Sequence, residues 1–195
     1  MKTIILIGGV AVAATIAGIP TPAAAADFTG PRIEAHAGWD RVRAESAPLK
    51  VDDRRDGIVY GVAAGYDVAL GDKVIAGIEV GFDLSDVDFA STAGTTQSAV
   101  EVKRDISVSG RIGARVADDV MVYAKAGYSN ARLEAVITTG ATKTAITANG
   151  DGVRVGGGIE LALGPNAYAK AEYRYTDYEG GVSRHQALTG LGFRF

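Results

Sequence analysis

The chain has 195 residues, 47% of them hydrophobic, with 26 Gly, 5 Pro and no Cys, and 23 acidic residues against 20 basic ones for a formal charge of −3. That length points to one domain with a substantial core, and that charge offers nucleic acid no electrostatic footing. With no cysteine, disulfide frameworks, thiol nucleophiles and Cys-based zinc sites are excluded before any motif is sought.

The first element is not part of the fold. Lys2, the uncharged run from Ile4 to Ile19, and Ala24-Ala25-Ala26 just before Asp27 make the pattern of a cleaved secretory signal peptide over residues 1–26. The run is short for a membrane helix, which needs ~20 residues. No later apolar stretch reaches that length, so residues 27–195 are expected to form one exported domain.

From there the period is two. Ile33, Ala35, Ala37 and Trp39 alternate with Arg32, Glu34, His36 and Asp40, which separates two faces on a strand and would mix them on a helix. The same reading gives strands over 57–69 and 74–84, where Tyr60, Val62 and Tyr66 oppose Gly61, Gly65 and Asp67, and Ile78, Val80 and Phe82 oppose Glu79, Gly81 and Asp83. A fourth runs over 100–116, with Val102, Ile106, Val108 and Ile112 against Lys103, Asp105 and Arg111. A fifth (120–128) sets Val122, Ala124 and Ala126 against Tyr123, Lys125 and Gly127, and a sixth (153–163) sets Val155, Ile159 and Leu161 against Arg154, Gly158 and Glu160. The last two, in "NAYAKAEYRYTD" and "HQALTGLGFRF", set Ala171, Tyr173, Leu191, Phe193 and Phe195 against Lys170, Glu172, Arg174 and Arg194. The expectation is all-β, with eight antiparallel strands. Pro31, Pro48 and Pro165 fall at a strand start, in a loop and in a turn, where a missing N–H does least harm. Long connections over 44–56, 89–99 and 134–150 alternate with the short turns "LGDK", "ADD" and "GPN", and the former are expected to be exposed loops rich in Thr, Ser, Ala and Gly.

One face is apolar and the other mixes glycine with long charged side chains, which suits the narrow lumen of a closed cylinder of ~8 strands. A membrane barrel turns its apolar face to lipid. On that reading Trp39, Tyr60, Phe82, Tyr128 and Tyr175 sit near the outer rim and Tyr66, Phe193 and Phe195 near the inner one, as two aromatic girdles. The tight turns set the register. Arg111 falls opposite Lys125 inside, Glu160 falls opposite Lys170 as an expected cross-strand ion pair in the lumen, and Arg104 falls opposite Arg132 outside. The first pair is like-charged, so carboxylates, Glu79 and Glu160 first, are expected to reach across to it. Glu79, Arg111, Lys125, Glu160, Lys170, Glu172 and Arg174 are therefore expected to form a lumen ion network. Arg104 and Arg132 interrupt the lipid face and are candidates for clamping an anionic glycolipid such as lipopolysaccharide.

With its signal, eight alternating strands, the segments "GVAAGYDV", "VYAKAGYS" and "AKAEYRYTDY" and the terminal "TGLGFRF", the chain resembles the small outer-membrane β-barrel family of Gram-negative bacteria, the OmpA-type and opacity-type porin-family domains. The resemblance implies an eight-stranded antiparallel up-and-down transmembrane β-barrel in the cell outer membrane. It also implies that Leu191, Phe193 and Phe195 are the signal read by the barrel-assembly machinery after passage with periplasmic chaperones. No cofactor and no metal is expected. His36, His185 and Ser183 do not assemble a nucleophile, base and orienter, and the run Gly156–Gly158 lacks the strand-to-helix context of a nucleotide loop. The expected function is non-catalytic: a structural, surface-exposed barrel with a charged, largely filled lumen. A narrow porin-like diffusion channel and a loop-mediated adhesin are the alternatives.

Overall fold

The computed structural model describes the backbone of residues 28–46, 51–86, 88–93, 96–139 and 142–195. The expected signal peptide over 1–26 lies outside the described residues. The strands are β1 (Gly30–Ser46), β2 (Val51–Ala69), β3 (Val74–Ser85), β4 (Asp88–Ala93), β5 (Thr96–Arg115), β6 (Val120–Thr139), β7 (Thr142–Ala162), β8 (Ala167–Tyr178) and β9 (Val182–Arg194). They pair antiparallel in the order β3-β2-β1-β9-β8-β7-β6-β5-β4, and β3 also pairs with β5, which closes the sheet on itself. β4 continues the line of β3 along β5, beyond the pairing of Asp83 with Asp105. The nine assigned strands therefore make eight staves of one up-and-down barrel, closed by the pairing of β3 with β5.

Two details depart from the sequence expectation. The stretches expected as long loops continue instead as paired strands: Glu134 faces Thr147 and Thr139 faces Thr142 across β6 and β7, and Ser46 faces Val51 across β1 and β2. Runs such as "EAVITT" and "TKTAITA" are rich in β-branched residues, and they extend a ladder already in register. Second, the register of β5 against β6 shifts between Val102 and Arg104, so Lys103 is an extra residue and the regular ladder expected over 100–116 is interrupted there. The connection after β8, brief in the sequence as "YEGG", is a tight turn at Gly180 and Gly181, with φ of 81° and 76°, which only glycine adopts without penalty.

Burial follows parity, with polarity inverted relative to a soluble protein. Along β8 the alternate residues Tyr168, Lys170, Glu172, Arg174, Thr176 and Tyr178 are buried. Ile58, Val62, Ile78, Val108, Ile112 and Leu191 stand exposed on the outer surface. One apolar cluster lies inside. Phe28, just ahead of β1, packs with Ile75, Met121 and Tyr123 at the end that carries the termini and short turns.

Candidate functional site

The lumen is built from side chains of every stave. Among the described residues, eight buried carboxylates (Glu34, Asp40, Asp67, Glu79, Asp83, Asp105, Glu160 and Glu172) meet eight buried cations (Arg32, Arg111, Lys125, Arg154, Lys170, Arg174, Arg184 and Arg194). The balance follows from physical necessity, because an unpaired charge taken out of water costs several kcal/mol.

Near the short turns, Asp67 accepts from Arg32 Nε at 3.0 Å, from Arg111 Nε at 2.8 Å and Nη2, and from Arg194 Nη2 at 3.4 Å. Glu160 accepts from Arg111 Nη1 at 3.2 Å and lies 2.5 Å from Arg194 Nη2. Arg32 reaches on to Glu79 at 2.8 Å, and Glu79 also receives Lys125 Nζ at 2.7 Å. Lys125 lies 2.7 Å from Glu172, which gathers Lys170 at 3.4 Å, Arg174 Nε, and the Tyr123 hydroxyl at 2.6 Å. Toward the other end, Asp83 accepts from Arg174 at 3.1 Å and Arg154 at 3.4 Å and lies 2.5 Å from His36 Nε2. Asp105 accepts from Arg154 at 2.5 Å, Arg184 at 3.0 Å and the Tyr178 hydroxyl at 2.6 Å, and Arg184 also donates to Asp40 at 2.8 Å.

All seven residues expected in the network are buried there. Arg111 meets Glu160, Lys125 meets Glu79 and Glu172, and Lys170 and Arg174 meet Glu172. One expected pairing is corrected. Glu160 and Lys170 are register partners, but their ion contacts go elsewhere, Glu160 to Arg111 and Arg194 and Lys170 to Glu34 and Glu172. Long side chains inside a cylinder can reach staves beyond the nearest neighbour, and there they find more than one opposite charge. Asp67, Asp83 and Asp105 are hubs that sequence reasoning passed over. Their signal was parity, since each sits on the glycine-bearing face. Glycine clears the space: a Cβ on Gly65 would lie 2.6 Å from the Ile78 carbonyl and 2.8 Å from the Arg32 guanidinium.

Phe28 is the other residue missed. It is fully buried, with the guanidinium of Arg194 at 5.4 Å and that of Arg115 at 5.9 Å from its ring centre. It precedes the first alternating run, so no periodic signal marks it.

On the outer surface Arg104 and Arg132 face one another in register just past the bulge, Arg132 exposed and Arg104 partly so. Leu191, Phe193 and Phe195 stand exposed on one face, the two phenylalanine rings edge to face at 5.2 Å. The terminal amide of Phe195 donates to the Pro31 carbonyl at 3.0 Å, so the last residue is tied to the first strand. A second polar cluster lies on the outward face beyond Trp39. Trp39, Arg41, Arg43, Arg54, Tyr173 and His185 line a hollow of about 290 Å³. Arg41 stacks over Trp39 at 4.8 Å and binds Asp56 through two hydrogen bonds of 2.6 and 3.0 Å, which hold that carboxyl below its ordinary range. His185 Nδ1 is 2.7 Å from the Tyr173 hydroxyl.

Residues 10–195 match the family model described as an outer membrane protein beta-barrel domain. The chain is 27% identical over 178 residues to the 31 kDa outer-membrane immunogenic protein of Brucella melitensis, covering 80% of this chain and 74% of that one. It is 26% identical over 167 residues to the 25 kDa outer-membrane immunogenic protein of Brucella ovis, covering 81% and 72%. Among solved structures it shares the fold of Neisserial surface protein A, at a TM-score of 0.55 and 18% identity over 86% of this chain and 98% of that one. It also shares the fold of Ail, the attachment invasion locus protein of Yersinia pestis, at 0.54 and 14% over 85% and 99%.

Proposed function

The chain belongs to the outer-membrane β-barrel domain family, and from that premise we propose that it is a non-catalytic, surface-exposed structural barrel whose lumen is filled by its own ion network and does not conduct. The observation that carries this is the meeting of eight buried carboxylates with eight buried cations drawn from all staves. A conducting pore needs a continuous column of water. Here Asp67, Glu79, Glu172, Asp83 and Asp105 are each bridged to cations of other staves at successive positions along the axis. General porins hold an aqueous channel with ~16–18 strands, twice the number in this barrel.

Export through the inner membrane by the signal over residues 1–26, and assembly by machinery reading Leu191, Phe193 and Phe195, belong to the same proposal. Planar-bilayer recording of the purified, folded protein tests the lumen. The expected record is a flat baseline, and sustained, reproducible openings would favour the narrow diffusion channel.

A further inference from the structure

The wall of the barrel is uneven at its outer end. β7 pairs with β6 along its whole length, from Thr142 opposite Thr139 inward, but with β8 only from Gly152 inward, because β8 stops at Tyr178. Across the gap β9 starts at Val182, opposite Ala44 of β1. Residues 142–150 of β7 therefore rise beyond the β8–β9 turn as a strand with a neighbour on one side.

The last backbone bond on the β8 side runs from the Glu179 N–H to the Asp151 carbonyl, at 2.9 Å. Alternate residues of an antiparallel strand turn both backbone groups to the same side. Lys143, Ala145, Thr147 and Asn149 thus aim N–H and C=O out of the sheet edge, and among the described residues no backbone group meets them. Natural edges are blunted by proline, by bulges or by charge. Over residues 142–150 this one has no proline, no register shift against β6 and a single charged residue, Lys143.

The foot of the edge is acidic. Asp151, Asp177 and Glu179 line a hollow of about 250 Å³ with Tyr128 and Val153 on the outward surface. Asp151 accepts from Asn130 at 2.6 Å, and no cation among the described residues pairs with any of the three carboxylates. Asn149 is exposed on the face of Asp151, so a residue placed opposite it on an added strand points outward just above the hollow.

We propose that the β7 edge over residues 142–150 takes up an extended, basic peptide segment of another protein as a further strand. The segment runs antiparallel to β7, with a lysine or arginine near its N-terminal end in the hollow of Asp151, Asp177 and Glu179. β7 runs toward the membrane, so an antiparallel occupant starts at the hollow and leaves it outward. Main-chain bonds give such a strand its affinity, and the hollow fixes its direction and charge. A second copy of this chain is the poorer occupant, since its own β7 brings the same three carboxylates to the seam. The inference rests on the outer-membrane reading, which puts this edge on the exposed side, and is independent of whether the lumen conducts.

The test uses the full folded chain in detergent micelles and a fluorescently labelled probe, a short peptide of two lysines followed by alternating threonine and valine. Binding is read by anisotropy, and its place by hydrogen exchange of the β7 amides. The probe is expected to bind and to protect the amides of Lys143, Ala145, Thr147 and Asn149. Methylating the probe nitrogens that face β7 should weaken it at least about tenfold, as expected for lost main-chain bonds. Replacing its lysines with glutamate, or changing the protein by Asp177→Asn with Glu179→Gln, should weaken it about fivefold, as expected for exposed ion pairs. Thr147→Pro removes one outward N–H without touching the ladder to β6 and should also weaken the probe. Equal binding of the methylated and unmethylated probes, or no binding at millimolar probe, would overturn the edge. Unchanged affinity after both charge changes would overturn the basic partner. Protection of the same amides without probe, rising with protein concentration, would give the edge to a second copy instead. Each protein variant is first shown to migrate as a folded, heat-modifiable band; if Thr147→Pro does not, the methylated probe on the wild type decides. A wild type that fractionates with the outer membrane and folds but ignores the probe refutes this inference alone and leaves the outer-membrane reading standing.

Discussion

Replacing Asp67 with Asn is the most direct test of the lumen network. Asp67 lies on β2 with a fully buried side chain, and it accepts hydrogen bonds from Arg32, Arg111 and Arg194. Asn keeps the shape and removes the charge. Arg32 retains Glu34 and Glu79, but Arg111 and Arg194 are left to share Glu160. Removing one partner of a buried ion pair costs about 3–5 kcal/mol. With a urea dependence of about 2 kcal/mol per molar, that is a fall in midpoint of about 2 M. The comparison is Asp56→Asn, which breaks the rim pair with Arg41, whose two side chains are 51% and 41% exposed. Exposed pairs contribute at most about 1 kcal/mol, so its midpoint should fall by no more than about 0.5 M. Urea unfolding of the protein in detergent, read by the loss of heat-modifiable gel mobility, gives both midpoints. Asp67→Asn combined with Arg194→Gln restores the balance of lumen charge and should recover part of the loss. Equal shifts for Asp67→Asn and Asp56→Asn, or a double variant no more stable than Asp67→Asn alone, would refute the claim that paired charge holds the lumen together.

Gly65→Ala should prevent or strongly impair folding, because its Cβ would meet the Ile78 carbonyl and the Arg32 guanidinium, whereas Gly110→Ala, with nothing within 4 Å, should leave the urea midpoint within about 0.5 M of wild type. Phe28→Ala removes a fully buried ring from the cluster with Ile75, Met121 and Tyr123 and should cost about 3–5 kcal/mol by the same assay. It should also leave bilayer conductance at baseline, since the ion network continues beyond the cluster. Phe195→Ser should slow the appearance of the heat-modifiable form during assembly without changing the urea midpoint of the finished barrel by more than about 0.5 M, because Phe195 is exposed on the outer face.

Strand positions and face assignment were legible because period two carries both at once: knowing that Arg174 alternates with Tyr173 and Tyr175 fixes which of them points inward. The partners were less legible. Lys125 on β6 meets Glu79 on β3, and Arg154 on β7 meets Asp83 on β3, contacts that exist only once the cylinder is closed and that adjacent-strand register does not contain. The bulge at Lys103 left no mark in composition. The strand extensions within 134–147 did leave one, in their β-branched content, but their Thr and Ala content pointed toward loops. The rim pocket was hidden for another reason. Arg41, Arg43 and Arg54 belong to strand segments beyond the apolar alternation, and only the pairing of β1 with β2 and β9 brings them to His185 and, through β8, to Tyr173.

The charged lumen also settles a problem of register that apolar patterning leaves open. A slip of one residue along β1, β5, β6, β7, β8 or β9 moves arginine or lysine into lipid, at about 2–4 kcal/mol for each at mid-depth, and so is strongly disfavoured. A slip of two residues keeps every side chain on its own face and costs nothing by that measure. The lumen distinguishes the two-residue slips. Tyr168 lies over Gly192, and the Tyr123 ring sits where a Cβ on Gly158 would be 2.8 Å from its hydroxyl, so a shift of either ladder by two residues in one direction drives a ring against Arg194 or Glu160. The opposite shift of β8 carries Glu172 away from Lys125 and the Tyr123 hydroxyl, and puts Lys170 where Glu172 stood, beside Lys125. Balanced charge and the glycine–tyrosine fits thus select one register among those the hydrophobic face accepts equally.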